Sequence, residues 1–209
     1  MSLLTHPFFK EIEANSSINA EFIRSASLGL SKYGIKIKIY DKPTIEESGG
    51  YFEEENRILG IAVPDNTCPI NVVATFAHEY CHFLQWKTSM KVWTDVDFHI
   101  DDYLDPKTYK EDHSLELKLI QTLERDCEKM VLSLIKKGKL DLCYDTYLRE
   151  ANYYIAFHDI ILITKKWFSR AEIPDEVLKL LPKNKLIKTI DCLKTKKYEF
   201  IIKCIKAAY

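Results

Sequence analysis

Two histidines and a glutamate stand where they can share one metal ion. His78-Glu79-Tyr80-Cys81-His82 has the pattern H-E-x-x-H. It lies in a stretch whose apolar residues Val72, Val73, Phe76, Phe83 and Leu84 return at helical spacing. On an α-helix, a step of four residues comes back to the same face one turn further on. Both imidazoles can then reach one zinc ion at about 2.0–2.1 Å. Glu79 stands beside them, placed to take a proton from a water whose pKa the metal has lowered towards about 7. The pentapeptide thus supplies two ligands and a general base, and the chemistry it points to is metal-assisted hydrolysis. Cys81 projects about 100° away from His82 and reads as a small core residue.

A hydrolytic zinc also needs a third protein ligand and an open fourth position for water. A glycine at 85 and a histidine at 88 would supply the metzincin extension of the motif; Gln85 and Thr88 stand there instead and exclude it. A carboxylate from a later helix is the other solution, and Leu123-Glu124-Arg125-Asp126-Cys127-Glu128 offers one. Glu124 and Glu128, four residues apart, share a helix face with Cys127 and Val131. That face is otherwise apolar and is expected to pack on the motif helix. Carboxylates there are costly unless paired or metal-bound, so two of them one turn apart read as a ligand and its partner. Asp126 points about 200° round the helix from Glu124. Glu111, His113, Glu116 and, in an acidic loop, His99 compete for the third position. A peptidase must also stabilise an oxyanion; Tyr153, Tyr154, His158 and His113 are the candidates.

The positioning elements are legible in outline. Residues 17 to 33 form a helix with Ile18, Phe22, Ile23, Ala26 and Leu30 at helical spacing, a serine cap at 16 or 17, and Gly34 as the stop. Ile35 to Tyr40 alternates apolar and polar like a half-buried strand. Tyr51-Phe52 and Arg57 to Val63 bracket Glu53-Glu54-Glu55-Asn56 as a hairpin, which gives a sheet of about three strands. The motif helix follows over 71–86, then an irregular acidic stretch over 87–112. Its aspartates lack the spacing and the glycine of an EF-hand loop. A strong helix runs from Ser114 to Lys137 and stops at Gly138. Further helices are expected near 144–168, 173–181 and 184–206.

With these residues in place the chain resembles the gluzincin metallopeptidases, in which H-E-x-x-H is followed by a helix bearing E-x-x-x-D or a close variant. The resemblance implies that Glu124 is the third zinc ligand and that Glu128 orients His78, with glutamate at 128 where the family pattern has aspartate. Small size and the strand–hairpin–helix order look most like the minimal ImmA/IrrE-type proteases, and the 124–129 segment is similar to one in phage and bacterial H-E-x-x-H proteins. The likeness is anchored in residues 35 to 137. It implies an α+β, minimal zincin-like fold with a small, mostly antiparallel sheet, the motif helix and a glutamate-bearing helix over 1–140. A helical extension over 141–209 then packs on the same domain. It also implies one zinc per chain, a peptide or protein substrate, and Glu79 as the catalytic base. Such proteins are often tied to gene regulation, so a zinc-holding regulatory or protein-binding module is the alternative.

Composition fits this reading. The 209 residues are 46% hydrophobic and 12% aromatic, enough for a core. Thirty basic against 31 acidic side chains give a net charge of −1, which argues against direct nucleic-acid binding. No apolar run is long enough to span a bilayer. The first residues lack the basic start and apolar run of a signal peptide, and the six cysteines form no CxxC pair. A cytoplasmic protein with reduced thiols is the expectation, in the host cell if the chain is phage-encoded.

Overall fold

Local chemistry sets the N-terminal elements. The computed structural model of the chain describes residues 3–42, 49–91, 93, 114–164, 179, 181–188, 199 and 203. After a 3-10 turn at Leu3–Thr5, helix α1 (Pro7–Asn15) starts where His6 Nδ1 accepts from the Phe8 N–H and Pro7 occupies the first turn. Ser16 ends α1 and begins α2 (Ser17–Lys32), its Oγ accepting from the Asn19 N–H at 3.3 Å. Ala20, Ile23 and Leu30 form the fully buried stripe of α2. Gly34, at φ +74°, takes the left-handed turn that ends the helix. Nine-residue α1 is absent from the sequence reading, because two buried positions, Phe9 and Ile12, make too short a pattern to separate from a loop.

Three strands follow: β1 (Lys36–Tyr40), β2 (Gly50–Glu53) and β3 (Ile58–Ala62). The hairpin pairs β2 with β3 antiparallel, Gly50 opposite Ile61 and Glu53 opposite Ile58. The order is β1-β3-β2, and β1 lies parallel to β3 with Lys36 opposite Ile58 and Tyr40 opposite Ala62. The sheet is therefore mixed, one pair of each kind. The reason is in the composition of β3: its continuous apolar run is buried at every position, so it takes the centre. The half-buried β1 and β2 take the edges.

Helix α3 (Pro69–Lys87) packs on β2 and β3 and against α1 and α2. Pro69 pre-sets its first turn, and Val72, Val73, Phe76, Ala77, Cys81 and Phe83 bury it on most sides. Burial of rings as large as Phe76 and Phe83 contributes about 1.5–3 kcal/mol each. Helix α4 (Ser114–Lys136) ends as its sequence predicts: Gly138 sits at φ +65°, and the Lys139 N–H donates to the Leu134 carbonyl at 2.9 Å. Helix α5 spans Tyr144–Thr164.

Among the described residues the fold is α+β, with five α-helices and this one small sheet. No helix among them is long and apolar enough to cross a membrane. Two compact units divide the chain: Met1–Met90 with Cys127–Tyr144, and Lys91–Asp126 with Asp145–Tyr209. In the first unit the Asn19 side chain clips the segment after α4, donating to the Asp141 carbonyl at 3.1 Å and accepting from the Asp141 N–H at 2.8 Å. In the second, buried Asn152 donates to the carbonyls of Pro182 and Lys185 and accepts from the Ile187 N–H. Residues 181–188 are irregular, including the expected start of a helix at 184. Most of the acidic stretch and most of the helices expected at 173–181 and 184–206 lie outside the described residues.

Candidate metal centre

The α3 helix brings His78 and His82 together as the four-residue spacing requires. Their ring centroids are 4.7 Å apart at an interplanar angle of 81°, and the two Nε2 atoms face each other at 3.0 Å. Two nitrogens bound tetrahedrally to one zinc would stand roughly 3.3 Å apart, so the pair needs to open by only a few tenths of an ångström.

The outer nitrogens explain why the inner ones meet. His78 Nδ1 lies 3.2 Å from Glu128 Oε1, and His82 Nδ1 lies 2.8 Å from Gln85 Oε1. A carboxylate and an amide oxygen both accept hydrogen bonds, so each Nδ1 facing them carries the hydrogen. Neutral rings in that tautomer present two lone pairs to one another across 3.0 Å. Two lone pairs so close need a cation between them, a proton or a metal. The donor set therefore fits a divalent ion of the zinc type, which imidazole nitrogens hold well.

Glu128 adds to the same balance. The residue is 5% exposed, and its second oxygen, Oε2, has no hydrogen-bond partner among the described residues. A buried carboxylate is costly without compensation, and a cation held by the adjacent His78 would offset its charge. Cys127, fully buried beside it, donates from Sγ to the His78 carbonyl at 3.2 Å and lies 3.6 Å from His78 Nδ1. The ligand-type atoms of His78, His82 and Cys127 all lie within 4.8 Å of one another.

Glu79 is 6% exposed and lies under strand β2. A Cβ at Gly50 would come within 3.0 Å of Glu79 Cγ and 2.7 Å of Thr75 Cγ2, so the β2 backbone passes directly over this turn of α3. The two middle residues of the motif point elsewhere. Cys81 is fully buried, and Tyr80 meets Phe22 of α2 edge-on, with ring centroids 5.7 Å apart. Burial and the neighbouring Cys81 push the Tyr80 hydroxyl pKa up, so it keeps its proton.

Of the residues singled out in the sequence, His78 meets both His82 and Glu128, and Glu79 shares the helix turn of the two histidines. Glu124 stands one turn before Glu128 on α4, half-buried. His158, Tyr153 and Tyr154 belong to α5, where the His158 Nδ1–H donates to the Tyr154 carbonyl at 3.0 Å. His99, Glu111, His113 and the Glu116 side chain lie outside the described residues. Three contributors are missing from the sequence reading: Gln85 as the partner of His82, the Cys127 thiol against His78, and Gly50 over Glu79. The step of three from His82 to Gln85 on one helix was the available signal. Compared with protein-family models, characterised proteins and solved structures, the chain finds no match.

Proposed function

We propose that the chain is a single-zinc metallopeptidase, with His78 and His82 as ligands, Glu124 as the third ligand and Glu79 as the general base. The observation that carries the reading is the pair of Nε2 atoms 3.0 Å apart, each ring anchored by an acceptor at Nδ1. Glu124 enters through its register, one helical turn before the residue that touches His78. When bound, zinc supplies a Lewis acid that polarises the scissile carbonyl and acidifies the attacking water.

The remaining work falls to side chains. Glu79 takes the proton of the attacking water and then delivers it to the leaving amine, so the base of the first half-reaction is the acid of the second. Glu128 holds the His78 ring in its tautomer and offsets the positive charge of the centre. Exclusion of bulk water around the nearly buried Glu79 strengthens these electrostatic effects.

Elemental analysis of the wild type beside His78→Ala and Glu124→Ala tests the ligand set. About one zinc per chain, lost or strongly weakened in both variants, is the expected result; retention in Glu124→Ala would move the third ligand elsewhere. Glu79→Gln should keep zinc and lose hydrolysis of a denatured protein substrate, and full hydrolysis by that variant would remove Glu79 from the mechanism.

A second reading has its own support. Cys127 belongs to the ligand-type cluster, and a thiolate in the fourth position would close the site to water. The chain would then be a zinc-holding regulatory or protein-binding module. Cobalt substitution separates the two, since only a sulfur ligand gives an intense thiolate-to-metal charge-transfer band.

A further inference from the structure

Gln85 sits where the metzincin pattern would have glycine, and its side chain has a partner that the excluded pattern does not explain. The residue is 0% exposed, and its Oε1 lies 2.8 Å from His82 Nδ1. An amide oxygen only accepts, so the hydrogen is on the ring nitrogen, and the neutral imidazole keeps its lone pair on Nε2. We propose that Gln85 is the positioning residue of His82: it locks the Nδ1–H tautomer and aims the Nε2 lone pair at the point shared with His78. The consequence for zinc rests on the metal-binding reading above, whereas the tautomer rests on the hydrogen-bond geometry alone.

The two histidines are held unequally, and the difference has a physical reason. His78 faces a carboxylate, Glu128, supplied by α4. His82 faces a neutral amide supplied by α3 itself, three residues further on, where helix side chains are neighbours. A second carboxylate at 85 would add another negative charge to a buried site; the amide gives the same direction without that charge. His82 is therefore oriented as soon as α3 forms, while His78 acquires its partner when α4 docks. Orienting groups of this kind change metal affinity by about 10–100-fold when removed.

Two variants and two readouts test the assignment. Gln85→Leu removes the acceptor at similar size, and Gln85→Glu retains it. Long-range nitrogen-15 spectra of the metal-free protein report the tautomer of His82, and competition with a chromophoric chelator reports zinc affinity. Wild type and Gln85→Glu should show His82 protonated at Nδ1. Gln85→Leu should show both tautomers and bind zinc about 10–100-fold more weakly. A wild-type His82 protonated at Nε2, or an unchanged tautomer and affinity in Gln85→Leu, would overturn the proposal. If Gln85→Leu does not fold, the wild-type spectrum alone decides the tautomer. A locked tautomer in a chain that takes up no zinc would support the positioning role and sink the metallopeptidase reading, so the two fail separately.

Discussion

At the residue scale the centre is a matter of which nitrogen carries hydrogen. Glu128 and Gln85 leave His78 and His82 facing each other through lone pairs, and one buried oxygen of Glu128 has no hydrogen-bond partner among the described residues. Glu128→Ala should therefore weaken zinc binding by about 10–100-fold, measured by chelator competition, because both the orientation and the compensating charge of His78 are lost. The parts of this centre set by local spacing were legible in the sequence. A step of four on one helix has one geometric outcome, and it fixes His78 and His82 whatever surrounds them. The partnership of Glu128 with His78 was implied by the family resemblance; the cost of carboxylates on an apolar face pointed only to a ligand and a partner among Glu124 and Glu128. Gln85 and Cys127 were not legible, because their roles depend on rotamers and on which side chain reaches a ring nitrogen first. Periodicity is silent on both.

Elements show the same division. The motif helix, the α4 helix with its Gly138 stop and the hairpin follow from periods of 3.6 and 2 and from turn residues. The partner of β1 does not, since an alternating strand fits a parallel or an antiparallel neighbour equally well. Where elements meet, small residues decide the fit. Gly50→Ala would drive a Cβ to 2.7 Å from Thr75 Cγ2 and 3.0 Å from the Gly60 carbonyl oxygen. The expected loss is about 1–3 kcal/mol in urea denaturation. Across the sheet, the hydroxyls of Tyr40 and Tyr51 are 2.6 Å apart. Burial, then the hydrogen bond to Tyr40, raises the Tyr51 pKa above the usual tyrosine range. A folded-state pKa above the unfolded value of about 10 means a contribution fully present below pH 10 and lost as pH rises towards the raised value. Tyr51→Phe should flatten the decline of stability above about pH 10, read from denaturation curves at pH 8 and 11.

For the molecule as a whole, the proposed zinc would link residues far apart in the sequence. On the proposed reading, saturation with zinc should raise the unfolding free energy by about 2.7 kcal/mol at a hundredfold excess over Kd. The measurement is the midpoint of thermal unfolding against free zinc, and His78→Ala should abolish the shift.

The first compact unit is discontinuous, built from Met1–Met90 and Cys127–Tyr144. During synthesis the first ninety residues leave the ribosome with their sheet, both histidines and Gln85, but without Glu128 and without Asp141 for Asn19 to grip. At about 5–20 residues per second the missing segment follows roughly 3–10 s later. Through that interval the nascent chain carries an oriented His82 beside a His78 that lacks its carboxylate. On the proposed zinc-binding reading, the site is complete only once the helix that carries Glu128 has been made.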